Sequence, residues 1–84
     1  MQQMVLQAVF RGEGSQAWEL PLASDRIEIS NDGGEALTVN ADGMVIPLIA
    51  ADTGFSAVIP KFSRVSVTAT GQYRIAVYKL MNID

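Results

Sequence analysis

The sequence predicts a small all-β domain, a β-sandwich or partly open barrel of seven to eight mostly antiparallel strands. Two observations support this fold class. Apolar and polar residues alternate with a period of two in most segments, which is the pattern of β-strands. Turn-forming glycine, asparagine and aspartate residues separate these segments, and no segment has a helical period. Because the chain has 84 residues, the whole of it, residues 1–84, is expected to form one domain.

The first two predicted strands lie before residue 23. The first covers residues 3–10, and its alternating apolar side chains define one face: Met4, Leu6, Ala8 and Phe10. The glycine-containing segment 11–15 predicts a turn. In the second strand, Trp18, Leu20 and Leu22 share a face, and Pro21 indicates a sheet edge because proline has no N–H to donate.

The segment around residues 31–34 predicts the first of two turns in an antiparallel meander. A three-residue loop formed by residues 32–34 would place Gly34 at the third loop position, where glycine is favoured. This loop would set Ile29 opposite Leu37 and Ile27 opposite Val39, so that one apolar face continues from strand to strand.

Asp42-Gly43 predicts the second turn of the meander. This dipeptide is favoured in two-residue type I′ hairpins, because both of its residues accept a positive φ. The hairpin would place Val39 opposite Ile46 and Leu37 opposite Leu48.

The segment 62–80 predicts a long β-hairpin on which the earlier strands would pack. Four alternating aliphatic residues are predicted to face the core together: Val65, Val67, Ile75 and Val77. A three-residue loop at residues 69–71 keeps these residues on one face and puts Gly71 at the left-handed position of a bulge. A loop at residues 70–72 preserves the same faces, so the pattern leaves both loops open.

The composition argues against catalysis and metal binding. The chain has no cysteine and no histidine, so it lacks thiolate ligands, the commonest zinc ligand and the commonest general base. The serines lie in no nucleophile-elbow motif, the paired glycines precede no phosphate-binding lysine, and the isolated acids match no calcium-loop pattern. We therefore expect no enzyme activity, no cofactor and no metal site.

The charge distribution points to protein partners. Net charge is −3, which is unlike a nucleic-acid-binding domain, and no apolar run approaches the length of a membrane span. Residues 1–42 carry a net charge of −5 and residues 43–84 a net charge of +2. Opposite charges on the two parts of the chain would support head-to-tail contacts between copies. The start of the chain does not have the pattern of a signal peptide, which predicts synthesis in the cytoplasm.

The apolar content predicts self-association. Hydrophobic residues make up 49% of the chain, and a sandwich places only alternate residues inward. Several apolar side chains on the opposite faces therefore have no evident core position and are predicted to form a contact between copies in a homo-oligomer: Val5, Val9, Val45, Ile49 and Tyr78. In the alternative interpretation, the domain is a small ligand- or carbohydrate-binding module that uses Trp18 or Tyr73 to stack on its ligand.

Five segments between residues 25 and 80 form a recognisable pattern: IEISN at 27–31, ALTV at 36–39, an apolar strand at 45–48, Gly54-Phe55 and FSRVSVTATGQYR at 62–74. Through these segments, residues 25–80 resemble small β-rich structural proteins of tailed bacteriophages and prophages. The resemblance implies a non-enzymatic head, neck, tail or fibre-associated subunit of a virion. It also implies partners among copies of the chain and other virion proteins, rather than nucleic acid or membrane. An acidic residue often precedes the phenylalanine of these proteins, whereas Phe55 directly follows Gly54 here.

Overall fold

The computed structural model describes residues 1–82, which form one open, mostly antiparallel sheet and contain no helix. The sheet has six continuous strands: β1 (Gln2–Glu13), β2 (Gln16–Asn31), β3 (Thr38–Ala41), β4 (Met44–Val45), β5 (Gly54–Thr68) and β6 (Gln72–Asn82). Their order across the sheet is β1-β6-β2-β5-β3-β4. The predicted all-β fold class is therefore confirmed.

The two longest strands, β2 and β5, each run through two parts of the sheet. Their mutual pairing is interrupted between Glu19 and Ser24 and again between Ser24 and Arg26. What we call the β1 half contains β1, β6, residues 26–31 of β2 and residues 54–58 of β5. The β3 half contains residues 16–19 of β2, residues 64–68 of β5, β3 and β4. Counted on both sides of these interruptions, the sheet has eight strand segments, in agreement with the sequence.

The inner faces of the two halves share one apolar core. Trp18 of the β3 half stacks on Phe10 of the β1 half, with ring centroids 5.1 Å apart, and meets Tyr73 edge-on at 6.0 Å. The aliphatic residues predicted to face inward are all buried: Val65, Val67, Ile75 and Val77. The alternation in the sequence therefore identified the core-facing side of β5 and β6 correctly at these positions.

The predicted hairpin between residues 62 and 80 is wrong in its pairing. The three-residue connection at residues 69–71 is present, but β6 lies between β1 and β2, whereas β5 lies between β2 and β3. The connection therefore passes from one half to the other instead of closing a ladder. Gly71 does not have a positive φ, because no bulge is required where the two strands do not pair. Alternation defines which side of a strand is apolar, and it does not define the neighbouring strand.

The predicted pairing of Ile29 with Leu37 is also wrong. Ile29 pairs with Ile75 of β6 on one side and with Phe55 of β5 on the other, so both of its edges are occupied. The chain leaves β2 at the buried Asn31, whose Nδ2 donates hydrogen bonds to the carbonyl oxygens of Glu35 (2.8 Å) and Ile49 (3.0 Å). The Asn31 side chain thus joins the backbones of two loops at the place where the hairpin was predicted.

The Asp42-Gly43 hairpin is confirmed. These residues have φ values of 49° and 87°, as a type I′ turn requires, and the backbone N–H of Ile46 donates to the carbonyl of Val39 at 2.9 Å. Beyond this point the predicted register is wrong, because Leu37 bridges to Ile49 and not to Leu48. Regular pairing ends at Val45, shortly before Pro47. The segment after β4 then contains one residue more than the opposite segment before β3, which shifts the partner of Leu37 by one position.

Candidate functional site

The outer side of the β1 half is the candidate site. Three rows of outward positions cross its four strands, and opposed residues in antiparallel strands point to the same side of a sheet. The row nearest the loop end is polar and consists of Arg11, Arg74, Ser30 and Gly54. The two rows beside it carry the apolar side chains. The Leu6 row consists of Leu6, Tyr78, Arg26 and Val58. The Val9 row consists of Val9, Ala76, Glu28 and Ser56. Because the intervening Ile27 and Val77 are buried in the core, both rows face outward. We call the two rows together the outer β1 face.

A β-bulge places Leu6 on this face. The register between β1 and β6 shifts between Leu6 and Ala8, so Gln7 has no partner in the ladder. The Nε2 atom of Gln7 donates hydrogen bonds to the Ser24 hydroxyl (2.6 Å) and to the Leu22 carbonyl (3.0 Å). As a result Leu6 is 53% exposed, while Ala8 packs against the core, and the prediction that both share one face is wrong.

Large apolar side chains remain accessible on the outer β1 face. Val9 is 54% exposed and Val58 is 63% exposed. Leu80, on the same side of β6 as Tyr78, is also exposed and continues the apolar surface along the β1–β6 ribbon, where β2 no longer pairs with β6. Several large exposed apolar side chains on one side of a sheet favour a binding surface over a solvated face.

A charged pair lies in the middle of this apolar face. The Arg26 guanidinium is 3.1 Å from the Glu28 carboxylate and lies over the ring of Tyr78, 5.1 Å from its centroid. The Tyr78 hydroxyl donates a 2.8 Å hydrogen bond to Glu28 Oε1. The hydrogen bond to Glu28, together with partial burial, raises the pKa of Tyr78. These contacts fix one positive and one negative charge at adjacent positions on the surface.

The structure brings together two of the five residues predicted to form a contact between copies. Val9 and Tyr78 lie on the outer β1 face. Val5 is half-buried in the β1–β6 ribbon, and Val45 is exposed on β4, in the other half of the sheet. Ile49 is 2% exposed and belongs to the core, so its assignment to an interface is wrong. The extra residue near Pro47 turns Ile49 inward and leaves Leu48 outside.

Sequence reasoning missed three apolar residues of this region: Leu6, Val58 and Leu80. Leu6 was assigned to the core because a bulge leaves no clear mark in an alternating pattern. Val58 was missed because the irregular segment 55–59 did not show which side of its strand is covered. The opposed residues on β1, β6 and β2 become neighbours only through strand pairing that the sequence did not reveal.

The two aromatic residues proposed for ligand stacking are packed inside the domain. Tyr73 is buried, its hydroxyl donates a 2.8 Å hydrogen bond to the Gly14 carbonyl, and burial raises its pKa. A Cβ atom at Gly12 would lie 2.6 Å from the Tyr73 hydroxyl, so Gly12 is needed for this packing. Trp18 is half-buried between Phe10 and Tyr73. The prediction that Tyr73 stacks on a ligand is therefore wrong.

A polar cleft of about 660 Å³ opens beside Tyr73 at the loop end of the β1 half. Arg74 binds Asp32 with two hydrogen bonds, from Nε at 2.8 Å and from Nη2 at 3.0 Å. The hydrogen bond from Arg74 holds the pKa of Asp32 below its ordinary value, and Asp32 in turn raises the pKa of Arg74. Two of the four charged side chains that line this cleft are thus paired with each other, and residues 1–82 contain no cluster of acidic side chains suited to a metal ion.

Comparison with models of known protein families gives no match, and comparison with curated proteins gives no similar sequence. Within residues 1–82 there is no helix of the length and apolar character needed to cross a bilayer.

Proposed function

We propose that this protein is a non-enzymatic structural subunit that acts by assembling with copies of itself. The observation that carries this proposal is the outer β1 face, where Leu6, Val9 and Val58 are each more than half exposed. Covering such side chains by another protein removes apolar area from water at about 25 cal/mol per Å². The monomer does not need these residues for its own core, which is filled by the inner faces of both halves.

The resemblance of residues 25–80 to structural proteins of tailed phages gives this proposal a specific form. The subunit would belong to the head, neck, tail or fibre-associated part of a phage or prophage virion and would contact other virion proteins as well as itself. Six residues of the outer β1 face lie within the resembling segment: Arg26, Glu28, Ser56, Val58, Ala76 and Tyr78. A face built for repeated protein contacts fits a subunit that is present in many symmetric copies.

Light scattering coupled to size-exclusion chromatography tests the proposal. The chain has a mass of 9.0 kDa, and we expect a stable mass that is an integer multiple of this value at micromolar concentrations. Dilution should shift the population towards the monomer. A strict monomer of 9.0 kDa at high micromolar concentration would contradict the proposed function.

A further inference from the structure

We propose that the partner on the outer β1 face is a second copy of this chain, stacked face to face about a two-fold axis. The axis runs across the strands, between the Leu6 row and the Val9 row. This inference rests on the proposed function and deepens it, because it specifies the contact surface, the symmetry and the facing residues.

The two rows are complementary to each other under this symmetry. A two-fold axis between them places each row of one copy over the other row of the second copy. Arg26 then faces Glu28 of the second copy, and Glu28 faces its Arg26, so both charges gain an opposite charge. Tyr78 faces the small Ala76, and Leu6 faces Val9. Within these two rows, opposite charges meet and a large side chain meets a small one, without any change to the monomer.

The face is large enough for a specific dimer. Four strands about 4.8 Å apart and about six residues of β1 at about 3.3 Å each give a patch of roughly 400 Å² in projection. The β1–β6 ribbon adds roughly 100 Å² by the same spacing. Two copies therefore bury about 1,000 Å² by this projection, which is about the lower limit for a biological interface.

Two other occupants fit the face less well. If a partner strand paired with the free edge of β1, Tyr78 and Val58 would stay uncovered. Tyr78 lies on β6, which is inside the sheet, and Val58 lies on β5, two strands further from β1. The bulge at Gln7 also interrupts the backbone pattern on which such pairing depends. A purely apolar partner would remove water from Arg26 and Glu28 without offering them new charges, which is unfavourable.

Charge exchange between rows provides a sharp test. In Arg26→Glu both charged positions of the face are acidic, and in Glu28→Arg both are basic. Each variant alone would place like charges across the axis, and we expect its dimer affinity to fall at least tenfold relative to the unaltered chain. An equimolar mixture should form a heterodimer with affinity close to that of the unaltered dimer. Light scattering measures the association, and native mass spectrometry identifies the heterodimer by its mass.

Two further variants keep the test decisive. Val58→Glu changes a side chain that is 63% exposed, so it leaves the core intact and should also dissociate the dimer. Val45→Glu, at a 70% exposed position of the β3 half, is the matched control and should leave association unchanged. Circular dichroism establishes that each variant is folded.

The outcomes separate the two proposals. If the unaltered chain associates but the mixture of charge variants gains nothing over each variant alone, the face-to-face inference is overturned and the proposed function stands. Association that is lost in Val45→Glu and retained in Val58→Glu overturns the face-to-face inference in the same way. If the unaltered chain is a monomer at high micromolar concentration, the proposed function fails, and the inference fails with it.

Discussion

The outer sides of the two halves differ in chemistry although β2 and β5 run through both. On the β3 half the outward positions are mostly small or polar, and they include Ala17, Ser66, Asn40, Glu19 and Arg64. On the β1 half they include the exposed Leu6, Val9 and Val58. A single strand shows the contrast: β5 presents Ser66 and Arg64 outward in one half and Val58 in the other.

This difference separates the residues that make the fold from those that make a contact. Both inner faces are apolar and meet in one core, so the apolar burial that stabilises the monomer comes from these two faces. A solvated outer face requires mainly polar or small residues, and β2, β3 and β5 have them in the β3 half, where the exposed apolar Val45 lies on the edge strand β4. The apolar residues on the outer β1 face add nothing to that core, and we attribute them to the proposed assembly.

The largest change in the free energy of unfolding is expected when an inner position of the β3 half is compared with an outer one. Val67→Ala removes buried methyl groups and should lower the free energy of unfolding by about 1–3 kcal/mol. Ser66→Ala, at the neighbouring outward position, should change it by less than about 0.5 kcal/mol. Chemical denaturation of the two variants measures the difference. Equal midpoints would contradict the assignment of the two faces.

A smaller effect compares a buried polar contact with one on the outer β1 face. Tyr73→Phe removes the hydrogen bond to the Gly14 carbonyl and should lower the free energy of unfolding by about 0.5–1.5 kcal/mol. Tyr78→Phe removes the hydrogen bond to Glu28 and should cost less, because water replaces the lost partner on an accessible surface. Thermal unfolding at a concentration where the protein is monomeric measures both. A larger loss in Tyr78→Phe would reverse the order.

The smallest effect concerns the paired charges at the edge of the outer β1 face. Because Arg74 lowers the pKa of Asp32, this carboxylate stabilises the fold at pH values above its ordinary pKa of 3.8. The contribution is lost as the pH falls through the lower pKa of the folded state. The difference in denaturation midpoint between the unaltered chain and Asp32→Asn should therefore shrink on acidification. About 1 M salt should weaken it at neutral pH. A difference that does not vary with pH would show that the ion pair contributes nothing.

Sequence reasoning located the strands and their apolar sides, but not most of their neighbours. Alternation identified Val67 and Ile75 as core residues because the side-chain period of a strand is a local property. Asp42-Gly43 was sufficient to define the β3–β4 hairpin for a similar reason, since its φ values depend on two residues. The pairing of β6 with β1 and β2 depends on residues distant in the chain, and no local pattern encodes it.

The candidate site was predicted less completely than the fold. Val9 and Tyr78 were found because they oppose core residues in an alternating pattern. Ile49 was misassigned because one extra residue near Pro47 exchanges the two faces of the segment. A shift by one residue moves every following side chain to the opposite face. A strand can therefore be predicted at the right residues and still have its two faces exchanged.

The pairing of β1 with β6 has a consequence for folding during synthesis. Gln2 pairs with Asn82, so β1 has to wait until nearly all of the described chain has left the ribosome. Until then its unpaired edge and the apolar Leu6 and Val9 are exposed to other nascent chains. Pairing between such distant segments also makes folding slow relative to domains with local contacts. We therefore expect that the order of emergence from the ribosome, rather than stability, limits the yield of the folded protein.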